Sequence, residues 1–283
     1  MKYLINKTKT AFTVLVIALL STACVSGPDE KQPEAIEAAN SALSAGVNNY
    51  TKNKHELAIT YFKNALHDFR SIDHQYGIAS SCLNLSKTHL SIGNIELAEA
   101  YLKQAQRIIE QEKITQLNDH VRIIESSIAI ENNQLNQAKE ILNPLLENNH
   151  NNAFTLAAIQ NRTRIAHADN NKDDAVQWTN IFEQKIQSND NQTYEARLAR
   201  FKANLSDDIE TQNKHFSEAL NIYRDQANRP GIAATLQEWG ETQIRKNQTN
   251  TAQDKLQRAL YIRQTLQDRK NSLSILNSLM QIS

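Results

Sequence analysis

The side chains that could do chemistry in this chain are scattered. Its eight histidines, at 55, 67, 74, 89, 120, 150, 167 and 215, never fall three or four residues apart. No helical face therefore carries the paired imidazoles that grip a zinc ion. The two cysteines, Cys24 and Cys82, are far apart and form no Cys-x-x-Cys pair. A glycine-rich phosphate loop and a Gly-x-Ser-x-Gly elbow are also missing. Adjacent acids occur at Asp173-Asp174 and Asp207-Asp208. Both pairs stand at predicted helix starts, where carboxylates complement the positive end of the helix. These residues predict no catalytic centre, no metal site and no cofactor. For Cys82, inside a helical stretch, they predict a small buried side chain.

The elements that would position any site are helical. The chain has 283 residues, 40% of them apolar, which is enough for a sizeable core, yet only 6 Gly and 4 Pro. Basic and acidic residues balance at 31 each. Without the first 23 residues, which hold Lys2, Lys7 and Lys9, the balance is 28 to 31, about −3. That leaves no clustered basic excess for nucleic acid. Asn-rich runs such as Glu131 to Gln134 and Asn148 to Asn152 read as solvated inter-helix loops.

The N-terminus reads as an export leader, residues 1–23, with a basic start and an apolar run Ala11 to Leu20 too short to span a bilayer permanently. It ends in Leu20-Ser21-Thr22-Ala23-Cys24, which resembles the bacterial lipobox. Ser21 stands three residues before the cysteine, where that family usually has Leu, and Leu20 is one step earlier. The resemblance implies lipid on Cys24 and, because Val25 and Ser26 lack the retaining Asp, an outer-membrane lipoprotein facing the periplasm. Ser21 and Ala23 also suit ordinary signal peptidase, which would release a soluble periplasmic module. Residues 24–33, with Gly27, Pro28 and Pro33, read as a tether.

From 34 to 283 helical periodicity does not stop. Six units align on a small, large, small order on their second helix, helix B, with Leu145 in the third, Thr179 in the fourth and Gln212 in the fifth departing from it. They run through Ala58-Phe62-Ala65, Ala98-Leu102-Ala105, Ala138-Leu142-Leu145, Ala175-Thr179-Phe182, Gln212-Phe216-Ala219 and Ala252-Leu256-Ala259. Small residues let helix B approach helix A of its own repeat, and large ones fill the groove between repeats. A final amphipathic stretch, Leu273 to Ile282, reads as a lone cap. This order resembles the tetratricopeptide repeat, most clearly in units one, two and six, with Gly77-Ile78-Ala79 and Gly231-Ile232-Ala233 like the longer variant of kinesin light chain. The resemblance implies an all-α, right-handed superhelical solenoid. Ala98 should face Leu85 and Cys82 in its core, whereas Ala196 should be exposed.

Such solenoids bind partners on a concave face lined by the A helices. The repeat register places Tyr50, Leu83, Lys87, Arg164, His167, Arg197, Phe201 and Arg245 on that face, apolar toward the N-terminus and mixing Arg with aromatics toward the C-terminus. The expected activity is a non-enzymatic scaffold or assembly factor. Its partner would be an envelope protein or peptide segment, with the membrane reached through the lipid.

Overall fold

The computed structural model describes residues 34–147, 153–169, 171–187 and 191–282. Cys24, the leader, the tether and the Asn148 to Asn152 run lie outside them. Among the described residues there are thirteen α-helices and no strand. They are α1 (Glu34–Thr51), α2 (His55–Ser71), α3 (Gln75–Ser91), α4 (Ile95–Gln111), α5 (Asn118–Glu131), α6 (Leu135–Glu147), α7 (Ala153–Ala168), α8 (Lys172–Ile186), α9 (Gln192–Leu205), α10 (Ile209–Asp225), α11 (Arg229–Arg245), α12 (Thr249–Thr265) and α13 (Arg269–Met280). Odd-numbered helices up to α11 are the A helices of six pairs, even-numbered ones the B helices, and α13 follows as an A helix with no B helix after it among the described residues.

The turns explain the regularity. A residue with positive φ recurs every twenty positions, at Asn53, Asp73, Gly93, Lys113 and Asn133, and again at Ala227, Asn247 and Gln267. Each closes a helix in the left-handed conformation, and the next amide bonds back five residues: Lys54 to the Asn49 carbonyl at 2.9 Å, His74 to Phe69 at 3.0 Å, Asn94 to His89 at 2.9 Å. Asn94, Asn171, Asn191, Asp208, Asn228 and Asp268 then cap the helices that follow. Asp173 and Asp174 lie in the first turn of α8, as the charge argument requires.

Inside each pair the helices cross at small side chains. Gly46 meets the ring of Phe62 and Gly240 meets Leu256. The Ser86 hydroxyl donates to the Ala98 carbonyl at 2.6 Å, and Thr163 to the Trp178 carbonyl at 3.1 Å. Ala98, Leu85 and Cys82 are fully buried together. Between pairs, an aromatic at the end of one B helix closes onto a glycine at the start of the next A helix, Phe69 on Gly77 and Tyr223 on Gly231. That contact is the physical content of the Gly-Ile-Ala signature.

Two expectations are corrected. Ala196 is fully buried, because α9 carries Ala196, Ala199 and Ala203 on one face and packs it against α10. Leu83 is fully buried within the apolar cluster of the first repeats, so it is a core residue and does not line the groove. A helices also pack on the A helices of neighbouring repeats, α1 on α3, α3 on α5 and α5 on α7, and no two successive B helices pack to the same extent. The stack therefore curves toward the A helices.

Candidate functional site

The inner face of this curve is the candidate site. At its N-terminal end Lys87 Nζ lies 4.8 Å from the centre of the Tyr50 ring, whose hydroxyl shares a 2.9 Å hydrogen bond with Ser91. His120 stands close enough for its charge to feel Lys87 and packs near Phe154, with ring centres 6.0 Å apart. Burial, and then Lys87, push the His120 imidazole down to about 4, so it is neutral at physiological pH.

Farther along, successive A helices are tied by polar rungs. Arg164 on α7 donates to Glu131 on α5 at 2.6 Å and to Asn161 at 3.2 Å. Buried Asn161 donates in turn to Ser126 and Ser127, at 3.0 and 2.8 Å. Arg197 on α9 donates to Gln160 on α7, and its guanidinium lies 5.8 Å from the Tyr194 ring centre. Arg200, one helical turn on, grips Glu238 of α11 with both Nε, at 3.1 Å, and Nη2. Asn204 adds a third donor at 3.1 Å. Burial would lift the Glu238 carboxyl, but Arg200 outweighs it and holds the group below its ordinary range. His167 stacks on Phe201 with ring centres 4.9 Å apart and shares a 2.9 Å hydrogen bond with Thr179. Burial pushes its imidazole down to about 4, Glu238 opposing and Arg200 adding to the shift.

The structure thus joins Tyr50 with Lys87, and His167 with Phe201, while Arg164 and Arg197 each reach back to the preceding A helix. Arg245 sits apart, exposed and bonded to Thr242 at 2.7 Å. Glu131, Arg200 and Glu238 escaped the sequence reading. Their signal was present: each rung joins opposite or complementary groups 33 to 38 positions apart, about one repeat. Arg164 and Arg200 are compensated by carboxylates. Lys87 and Arg197 form no ion pair among the described residues.

The face is also closed laterally, because the two ends of the stack meet. Asn53, in the first A–B turn, donates to the Gln226 carbonyl at 3.3 Å, and Glu56 pairs with Arg229. Gly93, with φ 82°, packs on Asp268, and a Cβ there would collide with the carboxylate. Asp268 is fully buried and accepts from Arg263 at 2.8 Å. These contacts bound the concave face on the side where the distant repeats touch. No group of three or more metal-ligating side chains occurs among the described residues, and no described helix is long and apolar enough to cross a membrane.

Residues 79–112 match the tetratricopeptide-repeat family model. They are most of α3, all of α4 and the residue after it. No curated protein sequence matches the chain. Among solved structures, the Rap conjugation gene regulator of plasmid pLS20 in complex with the Phr* peptide is similar with a TM-score of 0.67 at 13% identity, over 86% of this chain and 67% of that one. A Rap protein complexed with competence and sporulation factor is similar with a TM-score of 0.59 at 12% identity, over 89% and 77%. The helical-repeat solenoid is shared with both.

Proposed function

We propose that the chain is a non-catalytic scaffold of the bacterial cell envelope that holds an extended, acid-bearing peptide segment of a partner protein along its inner face. The observation that carries this reading is that Lys87 and Arg197, both on A helices, present positive charge beside aromatic rings without a carboxylate of their own. A carboxylate arriving at either group meets a cationic donor with no ion-pair partner of its own, and such charge-assisted hydrogen bonds are stronger than neutral ones. The neutral rungs around Arg164 and Arg200 hold the spacing of the A helices and leave charge recognition to the other two. Support by likeness comes from the two Rap structures, each solved with a peptide or factor bound. Its address is the outer membrane, facing the periplasm, with lipid on Cys24.

The test is capture from cross-linked envelopes by the wild-type chain and by a Lys87→Glu, Arg197→Glu double variant. One partner should be retained by the first and lost by the second, with the helical circular dichroism spectrum kept in both. Equal capture by both would remove the inner face from the reading. Labelling with a palmitate analogue should fail in Cys24→Ala, which should leave the membrane fraction. A wild-type chain that takes no label would be the soluble periplasmic form instead.

A further inference from the structure

Helix α13 is an A helix without a B helix among the described residues. Asn228 before α11 and Asp268 before α13 each cap the third residue on, which fixes the register between the two. Leu273, Leu276 and Met280 of α13 then match Ala233, Leu236 and Gly240 of α11. In α11 that face is buried under α12. In α13 its large side chains are exposed, Leu273 62%, Leu276 39% and Met280 74%, while Ser272 and Ile275 face the core. Arg269, Leu273, Leu276 and Met280 follow at steps of four, three and four, the seam of a two-helix coiled coil.

We propose that this seam pairs with the α13 seam of a second copy of the chain, antiparallel, with the twofold axis near Leu276. Continuity is the first ground, since every complete repeat covers this face with an antiparallel helix. Size is the second. The α11 seam is Ala, Leu and Gly, which admits a close B helix, whereas three large residues hold a neighbour farther off and suit an identical seam interdigitating with its own kind. Charge is the third. Arg269 and Lys270 sit at the N-terminal end of α13, whose first turn has no acid and whose last turn has no base. There the cations oppose the positive end of their own helix, and an antiparallel partner brings its negative end to them. The pair is isologous and small, so it should be weak and concentration-dependent.

Sedimentation velocity on the full chain over a concentration series tests this. The wild type should pass from monomer to dimer, and Leu276→Glu should stay monomeric with its melting temperature unchanged. Arg269→Glu separates pairing from folding, because a carboxylate suits its own helix start but repels the end of the partner. It should raise the dimer dissociation constant roughly tenfold or more without lowering the melting temperature. Leu276→Cys should form a disulfide-linked pair under mild oxidation when compared with the wild type treated alike. The buried Cys82 thiol, pushed up to about 11 by burial, does not compete. A wild type that is monomeric throughout, or a dimer that survives both Leu276→Glu and Arg269→Glu, overturns the proposal. Binding to anionic vesicles that Leu276→Glu abolishes, in a chain that stays monomeric, would give the face to lipid and overturn it too.

Discussion

Repeats one and two and repeats three to five keep the same outline by different means. The first two share one continuous apolar cluster, which includes Phe62 and Phe69 and extends from Ala39 to Ile128 on the first helix of repeat three. In the middle repeats the buried apolar groups break into smaller clusters around Ala138 and Leu142, around Phe182, and around Tyr223. Between them run the rungs from Arg164 to Glu131, Arg197 to Gln160 and Arg200 to Glu238. Apolar packing is tolerant of sequence so long as volume is kept. Polar rungs are not, because each needs its partner and leaves a costly orphan without it. A stack can therefore lose its repeat signature and keep its curvature, provided that the inner face takes over the spacing.

The largest effects should come from the rings that close onto glycines. Phe69→Ala should cost about 3–5 kcal/mol in a urea titration, the range for emptying a large aromatic site. Tyr223→Ala stands at the equivalent junction, over Gly231, and should cost a similar amount. A much smaller loss there would break the equivalence of the two ends.

Overpacking comes next. Ala98→Leu in α4 and Ala196→Leu in α9 should each cost about 1–3 kcal/mol, since both alanines are fully buried at helix crossings. Ala100→Leu, on the exposed side of α4, should stay within about 0.5 kcal/mol. If Ala196→Leu were as mild as Ala100→Leu, the α9–α10 contact would be looser than its counterpart in repeat two.

Acid should separate the regions again. His120 and His167 are half-buried and neutral, with pKa values pushed down to about 4, whereas the unfolded chain takes the proton near 6.5. The unfolded state thus binds more protons between those values. Stability should be full above pH 6.5 and fall as the pH drops toward 4. His120→Gln or His167→Gln should flatten that fall in melts across pH. Below it, protonation of Glu238, whose carboxyl Arg200 holds below the ordinary range, should loosen repeats five and six in particular. Glu238→Ala at neutral pH should mimic that loss at about 1–3 kcal/mol. The upper range for breaking a buried pair does not apply, because the Arg200 and Glu238 side chains remain 19% and 32% accessible.

The smallest effect should be at the meeting of the ends. The Glu56–Arg229 pair is 62% and 43% exposed, so Arg229→Glu should change stability by less than about 1 kcal/mol and less still in high salt.

Much of the fold was legible because it rests on volume. Ala58, Ala98, Ala138, Ala175 and Ala252 are all buried where the repeat order placed them. What looked like decay of the pattern was substitution of one contact by another. Thr179, in a large position, leaves room for His167 and bonds it. Gln212, in an Ala position, donates to the Ala203 and Ser206 carbonyls and finishes a helix that ends without the usual left-handed turn. The inner face was less legible. Arg200 and Glu238 are a repeat apart, and no local spacing announces the pair. Leu83 was misplaced because helix α3 is covered on more than one side, by α2, by α4 and by α5.

The contact of Gly93 with Asp268 changes how such a stack can come apart. A row of nearest neighbours frays from either end, one repeat at a time, and the loss of a terminal helix is felt only by the helix beside it. Here the turn after α3 rests on the turn before α13, so the two ends lend each other protection. Once the repeats between them are folded, the ends are already neighbours, and joining them takes almost no further chain entropy. Contacts between distant turns can therefore convert graded fraying into concerted opening. Amide hydrogen exchange in α1 and α13 should then slow or quicken together, although more than two hundred residues separate the helices along the chain.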